Sequence, residues 1–393
     1  MPKNDRNGPL LLLAARLLTA DKEFRPGAVL LQEGRIVDAG ASIDARGGRA
    51  VDLPGLTLVP GFIDLHVHGG GGYSLAGDKP NDIRSYSRWA PQHGVTAFLA
   101  GIVAGRPAGA APAISAALAG EPGEGAEMLG LNLEGPFVNP ARRGALPVTW
   151  PAEPGEPLLS DLLAASAGRL RLITIAPELP GALALIRDAV AAGVRVSAGH
   201  TDAGYAQALA GFEAGATHVT HVLNGMRPFH HREPGVVGAA LDSPGVTIEV
   251  IADGVHLHPA TVRMLLRSFG PERVALITDA VAPAGLGSGA FRLGGQEARL
   301  DGGRVMLPDG TIAGSAATMD TVVANLVRWG AASLAEAVRM ASTVPAMVAG
   351  VGGRKGRIAP GYDADIVALG DDLRVEATWT CGRPAYGAPG AQS

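Results

Sequence analysis

From residue 62 onward the chain repeats one arrangement. A short, nearly unbroken apolar run gives way to a longer Ala- and Leu-rich segment with helical spacing, and another apolar run follows. The apolar runs are FIDLHV (62–67), VTAFLA (95–100), MLGLNLE (128–134), LRLITIAPE (170–178), VRVSAGH (194–200), ATHVTH (216–221), VTIEVIAD (246–253) and VALITD (274–279). Short runs of this kind, bounded by turn residues, predict strands buried on both faces. Helical spacing is clearest at 82–94, 181–193, 205–215 and 260–270. Eight buried strands alternating with helices predict an α/β fold, a (β/α)₈ TIM-like barrel. An open doubly wound sheet is the alternative, but it would not make the first and last strands neighbours.

The ends of the chain read differently. AVLLQEGRIVDAG (28–40) has the look of a hairpin turning at Glu33 and Gly34. After Asp279, residues 291–314 read as a β-hairpin excursion, 318–330 and 333–342 as helices, and 353–370 as a return to short strands. These terminal pieces predict one small β-sheet domain built from both chain ends (1–58 and 355–393), around a barrel at 59–354.

Several predicted strands end in residues able to do chemistry: His66 and His68, Glu134, His200, His221 and Asp279. Barrel active sites lie at the strand C-terminal ends. Period-two alternation predicts that Asp64, His66 and His68 share one inward face. Two imidazoles on one face suit a single metal ion. His218 falls three residues before His221, so it is expected to face the other way and to pack structurally between barrel and helix. Asp363 and Asp365 read as turn and strand-start residues, not catalysts.

Composition narrows the field. The chain has 393 residues, 47% of them apolar, and a formal net charge of −4 without a basic stripe, so nucleic acid is not an expected partner. Cys381 is the single cysteine, which excludes an internal disulfide and a thiolate metal cage. PLLLLAARLL (9–18) is interrupted by Arg16, and no apolar run is long enough to span a bilayer, so a soluble cytoplasmic protein is expected. No G-x-S-x-G elbow is present, and the glycine run at 69–72 lacks the lysine and hydroxyl of a P-loop.

The H-x-H pair, the strand-end histidines and the aspartate of the eighth strand resemble the amidohydrolase superfamily. The segments LNLEGPFVNP, SAGHTDA, ATHVTHVLNGM, REPGVVGAALD, IADGVHLHP, ITDAVAPAG, IAGSAATMD and GRIAPGYDADIVAL resemble, within it, the N-acetylglucosamine-6-phosphate deacetylase family. The resemblance runs through almost the whole chain. It implies a metal-dependent hydrolase that removes acetyl from N-acetylglucosamine 6-phosphate, giving glucosamine 6-phosphate and acetate. It further implies Glu134, His200 and His221 as ligands of a divalent cation, zinc or iron foremost. His66 and His68 match positions that hold a second ion in some members, so one or two ions per subunit are expected.

By the same resemblance Asp279 is the general acid/base and His256 polarises the acetyl carbonyl. Asn224, the backbone of Gly225, and Ile312 contact the substrate. Arg232 reaches the phosphate from the neighbouring subunit of a homodimer. One position departs from the pattern: after Arg142 and Arg143, Leu146 stands where the family commonly has a histidine. N-acetylgalactosamine 6-phosphate and an unphosphorylated N-acyl substrate are the alternatives. A catalytically silent sugar-phosphate sensor is a third reading, and it would require a broken constellation.

Overall fold

The computed structural model describes residues 8–103, 107–120, 123–293 and 296–387. The eight apolar runs form one sheet: β1 (Phe62–Val67), β2 (Val95–Val103), β3 (Glu127–Glu134), β4 (Leu170–Ile175), β5 (Arg195–Ala198), β6 (His218–Val219), β7 (Thr247–Ile251) and β8 (Val274–Ile277). Neighbours follow chain order and pair in parallel throughout. The sheet then closes on itself. Just past β8, the Asp279 N–H donates to the His66 carbonyl (2.8 Å), and the His68 N–H donates to the Ala280 carbonyl (2.7 Å). The ring is a barrel, as expected, because β1 and β8 are hydrogen-bonded neighbours.

Burial on both strand faces explains the unbroken apolar runs. Phe62, Phe98, Leu131, Ile173, Val196 and Leu276 join the core shared with the surrounding helices. Ile63, Leu65, Leu99, Leu172 and Ile277 belong to a second cluster with Val344, Ala346 and Val348 of the helix Thr343–Val348. Arg195, the first residue of β5, donates to the Val348 carbonyl (2.9 Å), which sets that helix at the N-terminal end of the strands. An apolar plug closes that end and leaves the polar residues to the other.

Two details differ from the expectation. β6 has only two residues, because the chain leaves extended geometry at once: His221 and Leu223 take positive φ. The excursion after β8 is a four-stranded antiparallel sheet: Gly289–Leu293, Gln296–Asp301, Arg304–Met306 and Ile312–Ser315. Its last strand returns to the barrel, where the Ser315 N–H donates to the Asp279 carbonyl (2.8 Å).

A further sheet joins both chain ends. Its strands run in the order Arg383–Tyr386, Val375–Thr380, Ile366–Leu369, Arg49–Pro60, Leu10–Leu18, Gly27–Gln32 and Arg35–Gly40. Glu33 and Gly34 both have positive φ, as a two-residue hairpin loop requires. An ion cluster ties this sheet to the barrel. The fully buried Lys355 ammonium lies 2.6 Å from Asp365, 2.9 Å from Glu127 at the start of β3 and 3.0 Å from Asp363. Arg354 pairs with Glu127 and Asp363, and Arg35 with Asp363. Asp363 and Asp365 are thus structural, as expected.

Removing the central cation of that cluster leaves buried carboxylates uncompensated. Lys355→Ala is expected to destabilise the fold by about 3–5 kcal/mol, seen as a lower urea midpoint than that of the parent protein.

Candidate metal centre

The site begins with an irregularity in β1. Asp64 is opposite Phe98 of β2, but Val67 is opposite Ala100, so β1 carries one extra residue between these pairs. Such a bulge re-aims side chains. Asp64 therefore does not share a face with His66 and His68, contrary to the simple alternation. It lies beside Tyr86, Trp89 and His93 of the neighbouring helical segment and accepts from the Thr278 hydroxyl (2.6 Å). Burial there pushes the Asp64 carboxyl up to about 7, against the hydrogen bond from Thr278. His66 and His68, beyond the bulge, turn toward the strand ends.

Glu134, the last residue of β3, is the hub. Its Oε1 lies 2.7 Å from His200 Nε2 and 3.1 Å from His221 Nε2, and its Oε2 lies 3.2 Å from His68 Nε2. The four rings come from three places in the barrel: β1, the end of β5 and the turn after β6. His200, His221 and Asp279 all have positive φ. For residues other than glycine that conformation costs on the order of 1–3 kcal/mol and clusters at functional sites. Here it lets the backbone leave the barrel while the side chain stays over its mouth.

Each imidazole is locked from behind. Nδ1 of His68 faces the Gly101 carbonyl (3.0 Å), that of His200 the Arg142 carbonyl (2.9 Å) and that of His221 the Asn224 carbonyl (3.1 Å). A carbonyl only accepts, so Nδ1 carries the proton and Nε2 presents its lone pair. His66 Nδ1 faces the Glu249 carboxylate at 2.9 Å, to the same effect. The free Nε2 atoms then converge, at 3.2 Å between His66 and His68 and 3.1 Å between His200 and His221. Lone pairs this close repel unless a cation lies between them. Among the described residues two groups meet the ligand-spacing requirement, His66/His68/Glu134 and Glu134/His200/His221. In each group two imidazole nitrogens and a carboxylate oxygen of Glu134 make a donor set that fits a divalent cation.

Electrostatics agree. Burial pushes the Glu134 carboxyl up, but the His200 and His221 rings against it outweigh that and hold it well below the usual range. Burial pulls the His68 ring down, yet Asp279 and Glu134 carry it to about 9. The pocket draws positive charge.

Asp279 stands on the rim, its Oδ1 3.4 Å from His68 Nε2 and 3.8 Å from His66 Nε2. Burial raises its carboxyl, but the neighbouring His68 and His66 rings bring it below the ordinary range. His256 is held by Asp253: Nδ1 donates to Oδ2 (2.7 Å), while Oδ1 accepts the N–H groups of Val255 and His256. Burial lowers this imidazole, and the Asp253 bond more than reverses that.

The remaining expected site residues fall in different places. Asn224 and Gly225 pack against the cluster: the Asn224 side chain donates to the His221 carbonyl (3.3 Å), and a Cβ on Gly225 would come within 3.1 Å of the His200 ring. Arg232 is exposed and lies outside the cluster, its guanidinium on His231 (2.8 Å). Ile312 is partly exposed at the start of its strand in the excursion. Leu146 is buried, and its carbonyl accepts from Arg143. His218 is not packed between barrel and helix: it donates to the buried Glu249 (3.2 Å) behind His66. Because β6 ends at Val219, strand alternation never reached His221. Glu249 and Asp253 were missed; a carboxylate in the middle of the apolar run VTIEVIAD was the available signal for the first.

A closed parallel barrel with a carboxylate-bridged histidine cluster at its strand ends defines a metal-dependent hydrolase, and the chain belongs to the amidohydrolase family, whose model matches residues 57–384. Its relatives are more particular. An N-acetylglucosamine-6-phosphate deacetylase from Vibrio furnissii is 37% identical over 95% of this chain and 94% of that protein. An N-acetylgalactosamine-6-phosphate deacetylase from Escherichia coli O157:H7 is also 37% identical, over 95% of this chain and 99% of that protein. Among solved structures, the N-acetyl-D-glucosamine-6-phosphate deacetylase of Mycobacterium smegmatis, a mutant in complex with N-acetyl-D-glucosamine-6-phosphate, superposes with a TM-score of 0.90 at 36% identity, covering 96% of this chain and 99% of that one.

The shared carboxylate makes a stoichiometric prediction. Glu134→Gln is expected to lower bound divalent metal in both halves, whereas His200→Ala lowers it in one. Elemental analysis of the purified variants checks this, and equal losses would contradict the bridging geometry.

Proposed function

We propose that this chain removes the acetyl group from N-acetylglucosamine 6-phosphate, giving glucosamine 6-phosphate and acetate. The observation that carries the reading is the Glu134-centred cluster with the Asp279 carboxylate on its rim. The substrate follows from the relatives, which act on N-acetylated amino-sugar 6-phosphates along nearly the whole chain. Glu134, His200 and His221 would hold one divalent cation, and His66 and His68 a second; bound there, such an ion would lower the pKa of water toward roughly 7 and polarise a carbonyl. Zinc or iron suits this donor set.

The chain's own residues supply the rest. Asp279 is ionised at neutral pH, takes the proton from the attacking water and returns it to the departing amine, which leaves only once protonated. His256, biased toward its protonated form by Asp253, donates to the acetyl oxygen as negative charge develops there. Asn224 and the Gly225 backbone receive the sugar phosphate. Arg232, exposed on its own subunit, completes that contact across a homodimer, and Ile312 borders the same opening. The proposal places the enzyme in the cytoplasm; among the described residues no helix is long and apolar enough to cross a membrane.

A second reading is favoured by one observation: the galactosamine-type relative matches as well as the glucosamine-type one. Steady-state assays with both phosphorylated epimers and with N-acetylglucosamine decide among them. The phosphorylated gluco sugar is expected to have the highest kcat/KM, and preference for an unphosphorylated sugar would overturn the assignment. In the same assays Asp279→Asn is expected to lower kcat by roughly 10²–10⁴-fold with metal content retained.

The two pKa directions set the pH profile. Asp279 is lowered, so its base form is lost only as pH falls through its folded pKa, giving the acid limb. His256 is raised, so its donor form is lost as pH rises through its folded pKa, giving the alkaline limb. Asp253→Asn keeps the backbone contacts but removes the charge, and is expected to move the alkaline limb to lower pH. An unmoved limb would remove His256 from the proton inventory.

A further inference from the structure

Glu249 occupies the middle of β7 and is completely buried. Its two oxygens have distinct duties. Oε2 accepts from His66 Nδ1–H (2.9 Å) and also from the backbone N–H of His221 (2.9 Å). Oε1 accepts from His218 Nε2–H at 3.2 Å. With that nitrogen engaged, His218 Nδ1 is left as acceptor for the Thr247 hydroxyl, 2.6 Å away. The chain of contacts runs from Thr247 through His218 and Glu249 to the back of His66.

This arrangement differs from that of the other three rings. His68, His200 and His221 each have a neutral backbone carbonyl behind Nδ1. Only His66 has a carboxylate there. A carboxylate acceptor polarises the N–H more strongly and leaves Nε2 a better electron donor. The same oxygen grips the backbone of His221, a residue of the other half. One atom therefore fixes the His66 ring and the turn that carries His221. A buried carboxylate is costly unless its hydrogen bonds are satisfied, and His218 meets that requirement at Oε1.

We propose that Glu249, partnered by His218, is a positioning residue for the His66/His68 half of the centre, orienting His66 and strengthening it as a ligand for a divalent cation. The inference rests on reading the histidine cluster as a divalent-cation site. It adds that occupancy of the second half depends on a carboxylate that touches no ion.

The test is a cobalt(II) uptake measurement on the full-length protein, equilibrated against graded Co²⁺ with bound metal counted by mass spectrometry. His68→Ala identifies which equivalent belongs to that half. The parent protein is expected to take up two equivalents. Glu249→Gln keeps the shape and an acceptor oxygen but removes the charge. It is expected to retain the first equivalent unchanged and to bind the second roughly 10–100-fold more weakly. A general packing role would disturb both equivalents together, so the split is the diagnostic readout. Should Glu249→Gln fail to fold, His218→Ala leaves Glu249 in place and strips one donor, and it too is expected to weaken only the second equivalent. Unchanged second-equivalent affinity in the folded variant overturns the proposal. So does a parent protein that saturates at one equivalent, which leaves the hydrolase reading intact. A parent protein that takes up no Co²⁺ overturns both.

Discussion

The structure depends on one carboxylate shared by imidazoles that the chain brings from far apart. Glu134 gives one oxygen to His200 and His221 and the other to His68. Those contacts exist only because the sheet closes. Asp279 and Ala280 hydrogen-bond to the H-x-H segment of β1, so the first and last strands become neighbours. An open sheet would leave His66 and His68 at one edge and Asp279 at the other.

Around this hub the barrel is least regular where its chemistry is densest. β1 bulges before His66, β6 is cut to two residues, and His200, His221 and Asp279 all take positive φ. Two of these departures are held by hydrogen bonds to neighbouring strands: Asp279 by β1 and by Ser315 of the antiparallel excursion, His221 by Glu249 of β7. The apolar plug at the opposite end supplies the rigidity against which these departures are maintained. The excursion is thus part of the site's support as well as its border.

Much of this was readable in the residues because two signals are local. Strands buried on both faces need continuous apolar runs, and all eight runs became strands. Histidine and carboxylate side chains at the ends of such runs have few other reasons to be there, which singled out Glu134, His200, His221 and Asp279. What escaped notice depends on register. The face of Asp64 was reversed by one inserted residue, and the direction of His218 was misread because β6 stops before alternation reaches His221. The role of Glu249 required knowing which residue of another strand lies opposite. Asp363 and Asp365 read correctly as structural, but their common partner Lys355 is visible only once the terminal sheet meets β3.

The charge balance of the cluster favours a metal ion over protons. Glu134, Glu249 and Asp279 place three carboxylates in or beside one buried cluster. Three of the four converging rings have backbone carbonyls behind Nδ1, so in the neutral state they offset none of that charge. Protonating the rings is a poor remedy. Two N–H groups cannot point at each other across 3.1 or 3.2 Å, so at most one ring of each facing pair can take a proton at Nε2. A divalent cation accepts both lone pairs of a pair at once and brings more charge than one proton. Uncompensated buried charge is expensive, so the geometry that makes a poor home for protons makes a good one for a metal. The bridging oxygens of Glu134 and the asymmetric backing of His66 by Glu249 then distinguish the two halves. One is built from rings on neutral carbonyls, the other from a pair in which one ring leans on a charge.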